Sequence, residues 1–522
     1  MSGSFTGTRL LLGLGARRDR VLVPVWSAVL VLMSFASAAA TGSLYDGEAA
    51  RLQAAEAING SPAIIALYGP IVDPRSAGEL AMTKMTVLYA LFAATLLVAV
   101  VRRHTRVEEE SGRTELVGGT AVGRDAPLLA AVVEGVLVSL VLGLLVAVAN
   151  VAGGLEVPGS VAFGAMWTGT CLVATGVAAV AVQVSASART CASVAATALG
   201  TLFVLRAVGD TGPGWLSWLS PLGWNTQVRA YSDTRWWLLA AYPVLAVLLV
   251  LAAHLLRRRR DLGSGLLAAR PGPAHGSPRL RDAVSLVLQL HGTAVVLWSV
   301  TVAVLGALFG SITPSLDGFL ESAGGGTQDV LDALGGALVA AILSMIAVVI
   351  AYFAATVVSH AGRDEAEGRV ELVLSTATSR ARWFAATVLL AVLGTGWLLL
   401  LTGVGLWVGY VAADGPGIGN LVVASLAWAP AVWVVAALAA LSLALRPGWT
   451  VLAWAWPAAF LTLGVLGDLL ELPAWVPGLS PYSHVPQLPA EDWDWGAESG
   501  LTAVAVALLA VAWWRFRERD IG

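Results

Sequence analysis

The segment HTRVEEESGRTELVGGTAVGR, residues 104–124, decides the architecture because the chain contains it twice. Its second copy, HAGRDEAEGRVELVLSTATSR, occupies residues 360–380, and ten of the 21 aligned positions are identical. Both copies are charged and lie between long apolar segments. Glu109 precedes Arg113 by four residues, as Glu365 precedes Arg369, and this order and spacing stabilise a helix. The duplication therefore predicts two equivalent surface helices, each held between two membrane spans.

The composition is typical of a polytopic membrane protein. Of the 522 residues, 57% are hydrophobic and 12% are charged, and the mean hydropathy is +0.78. Several apolar runs are long enough to cross a bilayer. The first run, residues 21–40, is long enough to remain as a span rather than act as a cleavable signal peptide. Cys171 and Cys191 fall in successive predicted spans at different depths, so we expect neither a disulfide nor a metal site.

We predict an all-α fold of twelve transmembrane helices in two six-helix halves. The spans are expected near residues 21–40, 85–103, 126–149, 158–183, 189–208, 236–256, 289–310, 335–358, 383–412, 419–444, 448–467 and 499–515. The halves are residues 1–262 and 279–522, joined by a cytoplasmic linker, 263–278, whose glycines and prolines indicate flexibility. Amphipathic stretches at 8–18 and 279–290 are expected to lie on the inner membrane surface. The long first outer loop, 41–80, is expected to carry a helix at 48–58.

The distribution of arginine predicts the orientation. With an inside N-terminus, the inner segments collect arginines at residues 9–20, 102–124, 257–281, 363–382 and 515–519. The outer loops have few bases and are often acidic, as in residues 317–332 and 468–498. This asymmetry follows the positive-inside rule, so both termini and both copies of the duplicated segment are expected in the cytoplasm.

Shorter matches extend the repeat over both halves. They pair Trp26-Ser27 with Trp298-Ser299, Gly209-Asp210 with Gly467-Asp468, Leu219-Ser220-Pro221 with Leu479-Ser480-Pro481, and Arg260-Asp261-Leu262-Gly263 with Arg519-Asp520-Ile521-Gly522. Because each half has six spans, the two repeats are expected to share one orientation, related by an axis along the membrane normal.

The chain carries no motif for binding ATP by itself. A Walker A loop needs a lysine within G-x-x-x-x-G-K-[ST], and the only lysine, Lys84, lies in AMTKMT without a glycine-rich loop. No segment between spans is large enough for a nucleotide-binding domain, and the chain has no hydrolase or metalloprotease motif. We therefore expect no catalytic residue, no metal and no nucleic-acid partner, and any energy from ATP must come from another subunit.

Two six-span halves, an amphipathic stretch before each, and a charged GR-x-ELV segment between spans two and three resemble an ABC-2-type (type V) exporter permease. More narrowly, the chain resembles the actinobacterial polyketide-antibiotic (tetronasin-type) multidrug efflux permeases, in which one chain carries both halves. The resemblance covers essentially the whole chain. It implies a permease in the cell membrane that exports hydrophobic, drug- or polyketide-like compounds, with ATP and Mg²⁺ bound by a separate ABC ATPase.

The resemblance also implies roles for particular residues. The helix between spans two and three would be the coupling helix that docks into a cleft of the ATPase. This role falls on Glu108, Glu109, Gly112, Arg113 and Glu115, and on Asp364, Glu365, Gly368, Arg369 and Glu371. The outer segments at 215–237 and 475–495 would be re-entrant and form an outer gate with Trp215, Trp218, Leu219, Pro221, Trp475, Leu479 and Pro481. Since the two coupling segments are alike, we expect two identical ATPase chains per permease.

Ionisable residues within spans are candidates for function. Glu134 lies about 12 Å into span three from the inner side, by the helical rise of 1.5 Å per residue. It is expected either to contact a cationic substrate or to bond Ser139 or a facing helix. Arg206, deep in span five, is expected to reach the outer headgroups or Asp210. Met166, Trp167 and Phe203 would line a substrate cavity with Glu134, or would simply pack between helices.

Other interpretations compete with this one. The duplicated segments could be interfacial anchors, and the outer tryptophans could form an ordinary interfacial belt. A proton-coupled transporter of the major facilitator type also has twelve spans in two parallel halves. That class should show a D-R-x-G-R-type loop and several buried charges, whereas this loop reads SGRTELVGG. A non-transporting ABC membrane protein should carry a large outer domain, and the longest outer loop here has about 40 residues.

Overall fold

The computed structural model describes residues 3–44, 47–60, 62–267, 275–278, 280–322, 328–413, 415, 420–469 and 475–519. Within these ranges the fold is helical and contains no strand. The chain forms two compact units, Met1–Gly272 and Pro273–Gly522, and the division falls inside the predicted linker 263–278. Residues 268–274 of that linker lie outside the described residues.

The first unit contains fourteen α-helices within its described residues. They are α1 Thr8–Arg18, α2 Leu22–Leu44, α3 Glu48–Asn59, α4 Pro62–Tyr68, α5 Ala77–Lys84, α6 Ala90–His104, α7 Arg106–Glu110, α8 Arg113–Gly118, α9 Ala126–Ala152, α10 Val157–Val184, α11 Ala188–Thr211, α12 Trp215–Trp218, α13 Pro221–Val228 and α14 Ala241–Arg258. A π-helical turn, Met85–Tyr89, joins α5 to α6, and a 3₁₀ turn, Trp236–Ala240, precedes α14. The predicted helix at 48–58 is confirmed as α3.

The described part of the second unit contains eight α-helices. They are α15 Ala283–Ser322, α16 Gln328–Ala366, α17 Arg369–Leu374, α18 Arg380–Ala412, α19 Leu421–Leu426, α20 Ala429–Leu445, α21 Leu452–Leu469 and α22 Trp495–Glu518. The 3₁₀ turns are Pro447–Val451, Pro477–Leu479 and Pro481–His484.

Eleven helices of the described residues are long and apolar enough to cross a membrane. They are Leu22–Thr41, Ala77–Glu110, Ala126–Ala152, Val157–Val184, Ala188–Thr211, Trp236–Arg258, Ala283–Ser311, Val339–Ala366, Arg380–Ala412, Leu421–Leu445 and Trp495–Glu518. Each coincides with a predicted span, and the remaining prediction, 448–467, coincides with α21 and the 3₁₀ turn before it. The chain is an all-α polytopic membrane protein.

The two halves differ where each enters its first span. The helix predicted at 8–18 is confirmed as α1, which ends at Asp19 before α2 begins, and its place on the inner membrane surface stays a prediction. Its predicted counterpart at 279–290 is wrong, because residues from Ala283 onward form the start of the continuous helix α15. Pro24 in the first turn of α2 cannot donate a hydrogen bond to a preceding turn, so it separates two helices. The second half has no proline at the corresponding place.

Both duplicated segments are broken helices, so the prediction of one continuous surface helix is wrong. Gly112 has a φ of 73° and separates α7 from α8, and Gly368 has a φ of 72° and separates α16 from α17. This left-handed conformation is one that glycine adopts without steric cost, and it ends a helix. Each segment therefore consists of one end of a span, a glycine bend and a short terminal helix.

Small residues allow the helices within each unit to approach closely. A Cβ at Gly143 would lie 2.4 Å from the Gly164 carbonyl oxygen, where α9 meets α10. A Cβ at Gly310 would lie 2.1 Å from the Leu406 carbonyl oxygen, where α15 meets α18. Such close contacts hold helices together in a bilayer, where the lipid is as apolar as leucine. Both cysteines are buried and free.

Candidate functional site

The terminal helices α8 and α17 present the same exposed leucine. Leu116 is 78% exposed, and Leu372, its counterpart in the second copy, is 73% exposed. Arg113 and Glu115 are exposed beside Leu116, as Arg369 and Glu371 are beside Leu372. We call α8 the first tip and α17 the second tip. Each tip thus presents an exposed leucine between side chains of both charge signs.

In contrast, Glu109 is buried and holds the first segment against the rest of its unit. Its side chain is only 3% exposed, and Arg260 binds it with two hydrogen bonds, Nη1 to Oε2 and Nη2 to Oε1, each 2.9 Å long. Arg106 Nη1 lies 2.9 Å from Glu109 Oε2, and Arg257 Nη1 lies 3.6 Å from Oε1. Paired Arg–carboxylate bonds of this kind are both strong and directional. The Glu109 carboxylate is therefore directed into its own unit, and its predicted role in a coupling helix stays a prediction.

Arg124, the last residue of the duplicated segment, also forms hydrogen bonds with two of the arginines that hold Glu109. Its Nη2 donates to the Arg260 carbonyl oxygen over 2.8 Å, and its own carbonyl oxygen accepts from Arg257 Nη2 over 2.6 Å. The guanidinium of Arg260 also donates from Nε to Gln183 Oε1 over 2.8 Å. We call Glu109, Arg124 and Arg260 the first clasp.

The second unit repeats this arrangement with the equivalent residues. Arg519 Nη2 pairs with the largely buried Glu365, and Arg519 Nη1 donates to the Leu443 carbonyl oxygen over 3.0 Å. Arg380 Nη1 donates to the Arg519 carbonyl oxygen over 3.3 Å. We call Glu365, Arg380 and Arg519 the second clasp. The arginine of each half's final R-D-[LI]-G motif thus binds the glutamate of that half's duplicated segment, a pairing that sequence reasoning missed although it found both motifs.

The exposed acids are held differently in the two segments. Glu108 pairs with Arg18 of α1 and lies 3.4 Å from Arg113 Nη1. In the second segment, Arg369 takes two local partners, with Nε 2.9 Å from Asp364 Oδ1 and Nη2 2.7 Å from Glu367 Oε2. The Glu–Arg pairs at four-residue spacing do not form, because the glycine bend lies between their members. The first segment is therefore also attached to α1, whereas the second is attached mainly by its clasp.

The segment predicted to re-enter, residues 215–237, packs against the long helices of the first unit through α13. Asn225 of α13 is buried, and its Oδ1 accepts from Thr170 Oγ1 of α10 over 2.9 Å and from the Tyr242 hydroxyl of α14 over 2.7 Å. Its Nδ2 donates to the Thr86 carbonyl oxygen in the π-helical turn over 2.8 Å. Trp167 Nε1 donates to the adjacent carbonyl oxygen of Met85 over 3.1 Å. Side chains thus satisfy carbonyl groups at the irregular turn within the span.

The residues predicted for an outer gate divide by exposure. Trp215, Trp218, Leu219, Trp475 and Leu479 are exposed, and the ring of Trp218 stacks on Trp237 with 6.3 Å between centroids. Pro221 and Pro481 are buried. Exposed tryptophans at this level are typical of an interfacial belt, and the gate stays a prediction.

Arg206 anchors the outer loop of the first unit. The prediction that it reaches Asp210 is confirmed, with Nη1 3.2 Å from Asp210 Oδ2. It does not reach the headgroups, because its side chain is fully buried and donates to carbonyl oxygens at the end of α4, those of Ile65, Ala66 and Leu67. Asp210 also accepts from Ser217 Oγ over 2.5 Å, so the Gly-Asp motif contacts the segment that leads to Leu-Ser-Pro.

The four predicted cavity residues do not lie together. Met166 lines a cavity of about 40 Å³, a volume suited to a few water molecules rather than to a drug. Trp167 is fully buried in the packed core, and the guanidinium carbon of Arg206 lies 4.8 Å from the centroid of the Phe203 ring. Glu134 faces α1 and His104 at the other end of the unit, and Ser139 donates instead to the Gly135 carbonyl oxygen. The cavity that Met166 lines includes none of the other three residues, and the substrate cavity stays a prediction.

Comparison with known proteins places this arrangement in a family. The family model for the C-terminal domain of the multidrug efflux system permease Rv1217c matches residues 10–258 and 280–517. The chain is 37% identical over 529 aligned residues to the multidrug efflux system permease protein Rv1217c of Mycobacterium tuberculosis, an alignment covering 99% of this chain and 96% of that protein. The chain belongs to the family of Rv1217c-like multidrug efflux permeases.

Proposed function

We propose that the chain is the membrane-spanning permease of an ABC exporter that moves hydrophobic drug- or polyketide-like compounds out of the cell. ATP and Mg²⁺ are bound on a separate ATPase subunit, since this sequence has no Walker A motif. The observation that carries the proposal is the pair of equivalent tips, each with an exposed leucine and each fixed to its unit by a clasp. A fixed, exposed apolar side chain among charges is suited to docking another protein.

The equivalence of the two tips supports an ATPase made of two identical chains. Leu116 and Leu372 occupy the same place in the repeat and have similar exposure. The same short sequence, GR-x-ELV, surrounds both leucines, so both tips fit the same cleft. The attachment of Glu108 to α1 has no counterpart among the described residues of the second unit, which makes the two contacts unequal in rigidity.

The competing functions receive less support. The relative is a permease of a multidrug efflux system, which favours transport over a purely signalling role. The chain lacks the D-R-x-G-R loop of the major facilitator class, and its inner loops instead carry the two clasped segments.

The export proposal is tested by drug accumulation in cells that carry the permease with its partner ATPase. Accumulation of hydrophobic antibiotics should fall below that in cells with either subunit alone. The matched control is the same pair with the Walker lysine of the ATPase replaced, which should accumulate drug like cells with no permease. Equal accumulation in all cells across a broad panel would contradict export, and native mass measurement of the purified complex decides between two identical and two different ATPase chains.

We also propose that both termini and both tips are cytoplasmic, as the arginine distribution predicts. Ser111 and Ser375 are exposed beside the tips, and Ser499 is exposed at the opposite end of its span. Single cysteines at 111 and 375 should resist an impermeant thiol reagent added to intact cells and react after lysis. A cysteine at 499 should react in intact cells. Labelling of position 111 from outside would reverse the orientation.

A further inference from the structure

Three potential metal ligands from separate elements meet at the inner end of the first unit. They are Asp19 at the end of α1, His104 at the end of α6 and Glu134 in α9. One ligand atom from each lies within 4.8 Å of the other two, and no second group of this kind occurs in the part of the chain that the structure describes. His104 Nε2 lies 2.7 Å from Asp19 Oδ2 and 3.6 Å from Glu134 Oε2.

Protein groups alone leave this cluster incompletely satisfied. One imidazole nitrogen can make one good hydrogen bond, and the Asp19 carboxylate occupies it. The Glu134 side chain is 92% buried, since it is 8% exposed, and it makes no hydrogen bond within the described residues. Its nearest cationic neighbour is His104 Nε2, 3.6 Å away and already bonded to Asp19, so a cation between the two acids would stabilise this buried carboxylate.

The ligand set fits a divalent transition-metal ion such as zinc. Zinc binds imidazole nitrogen and carboxylate oxygen at about 2.0–2.2 Å, so two of its ligands lie roughly 3.3 Å apart in tetrahedral geometry. The three ligand atoms lie within 4.8 Å of one another, and the ion would take the place of the proton in the 2.7 Å hydrogen bond between His104 and Asp19 as these two side chains move slightly apart. Arg103 Nη1 lies 3.0 Å from the other oxygen of Asp19 and would fix its orientation, as outer partners of metal ligands do.

The Glu134 carboxylate lies in close contact with α1. A Cβ at Gly15 would lie 2.4 Å from Glu134 Oε2, so the glycine on α1 leaves room for this carboxylate in its observed position beside His104. We propose that Asp19, His104 and Glu134 bind one divalent transition-metal ion, of which zinc is the representative, and that this ion fastens α1 to the spans that flank the first tip. The proposal rests on this cluster and is independent of the exported substrate.

The second unit supplies a natural comparison. His291 lies seven residues before Trp298, as Asp19 lies seven before Trp26. His360 and Leu390 are the equivalents of His104 and Glu134. The imidazoles of His291 and His360 stack with 5.2 Å between centroids, and the third position is apolar. The three-ligand set is therefore incomplete there, and one metal ion per chain is expected.

Metal content of the purified full chain tests the proposal. The chain, carrying a tag without histidine, is treated with chelator and titrated with Zn²⁺ alone in lipid nanodiscs. One equivalent of Zn²⁺ should bind to the unsubstituted chain and to His360→Ala, the matched control. No equivalent should bind to His104→Ala or to Glu134→Leu, which installs the residue of the second unit.

A second measurement distinguishes loss of the metal site from misfolding of a variant. Glu134→Gln keeps the shape of the side chain but removes its charge, and Zn²⁺ should raise the thermal unfolding midpoint of the unsubstituted chain but not of this variant. Absence of stoichiometric Zn²⁺ in the unsubstituted chain would overturn the proposal, because the cluster would then be a network of protons and ion pairs only. Equal Zn²⁺ binding by His104→Ala and Glu134→Leu would overturn it too.

Discussion

Replacing Glu109 with alanine is expected to abolish drug-stimulated ATP hydrolysis by the permease–ATPase complex. The substitution leaves Arg260, Arg257 and Arg106 buried together without the carboxylate that neutralises them. Removing one partner of a buried ion pair costs about 3–5 kcal/mol, so α8 should detach from its unit. The readouts are ATP hydrolysis of the reconstituted complex and protease sensitivity of the chain between α7 and α9.

The second clasp provides a cleaner control, since Arg519 is the ion-pair partner that the structure gives Glu365. Glu365→Arg and Arg519→Glu should each lower stimulated hydrolysis when introduced alone. The double charge swap should recover part of it, because opposite charges again face each other. If the single variants hydrolyse ATP normally, or the swap recovers nothing, the ion pair does not position the second tip.

Leu116→Asp and Leu372→Asp should weaken ATPase binding while leaving the permease folded. Both leucines are exposed, so a polar replacement creates no cavity and buries no charge in the free chain. Burying a leucine in the ATPase cleft would contribute about 1.5–3 kcal/mol, so affinity should fall at least about tenfold for each variant. Binding of the purified ATPase to permease in nanodiscs measures the change.

Leu267→Asp is the matched control for this pair. Leu267 is similarly exposed but lies outside α8 and α17, and its backbone N–H donates to the Val184 carbonyl oxygen at the C-terminal end of α10. It should bind ATPase like the unsubstituted chain. Unchanged affinity in both tip variants would show that neither leucine is a docking anchor. A larger loss from Leu116→Asp than from Leu372→Asp would show that the better attached tip contributes more.

The spans could be predicted because a bilayer requires long apolar runs, and these are directly visible in the sequence. The structure inside the duplicated segments was harder to predict. Glu109 and Arg113 at four-residue spacing favour an exposed helical pair, whereas the bend at Gly112 separates them. Gly112 and Gly368 were themselves the available signal for a helix end, because glycine is enriched just after the last residue of a helix.

Long-range pairings were not predictable from spacing along the chain. Glu109 and Arg260 are 151 residues apart, and only folding brings them together. Matching the two halves could have suggested the pair, because both glutamates and both terminal arginines recur. The cluster of Asp19, His104 and Glu134 was harder to find in the sequence. The repeat does not preserve it, because the second half has Leu390 in place of Glu134 and His291 in place of Asp19.

The distance in sequence between the members of each clasp imposes an order on biosynthesis. Glu109 leaves the ribosome 151 residues before Arg260, and Glu365 leaves it 154 residues before Arg519. At about 5–20 residues per second, each tip therefore waits on the order of ten seconds for the arginine that fixes it. A nascent half cannot present a fixed tip until its sixth span has been made. If an ATPase docks on the tips as proposed, a half whose synthesis stops before its sixth span presents to that ATPase a tip without its clasp.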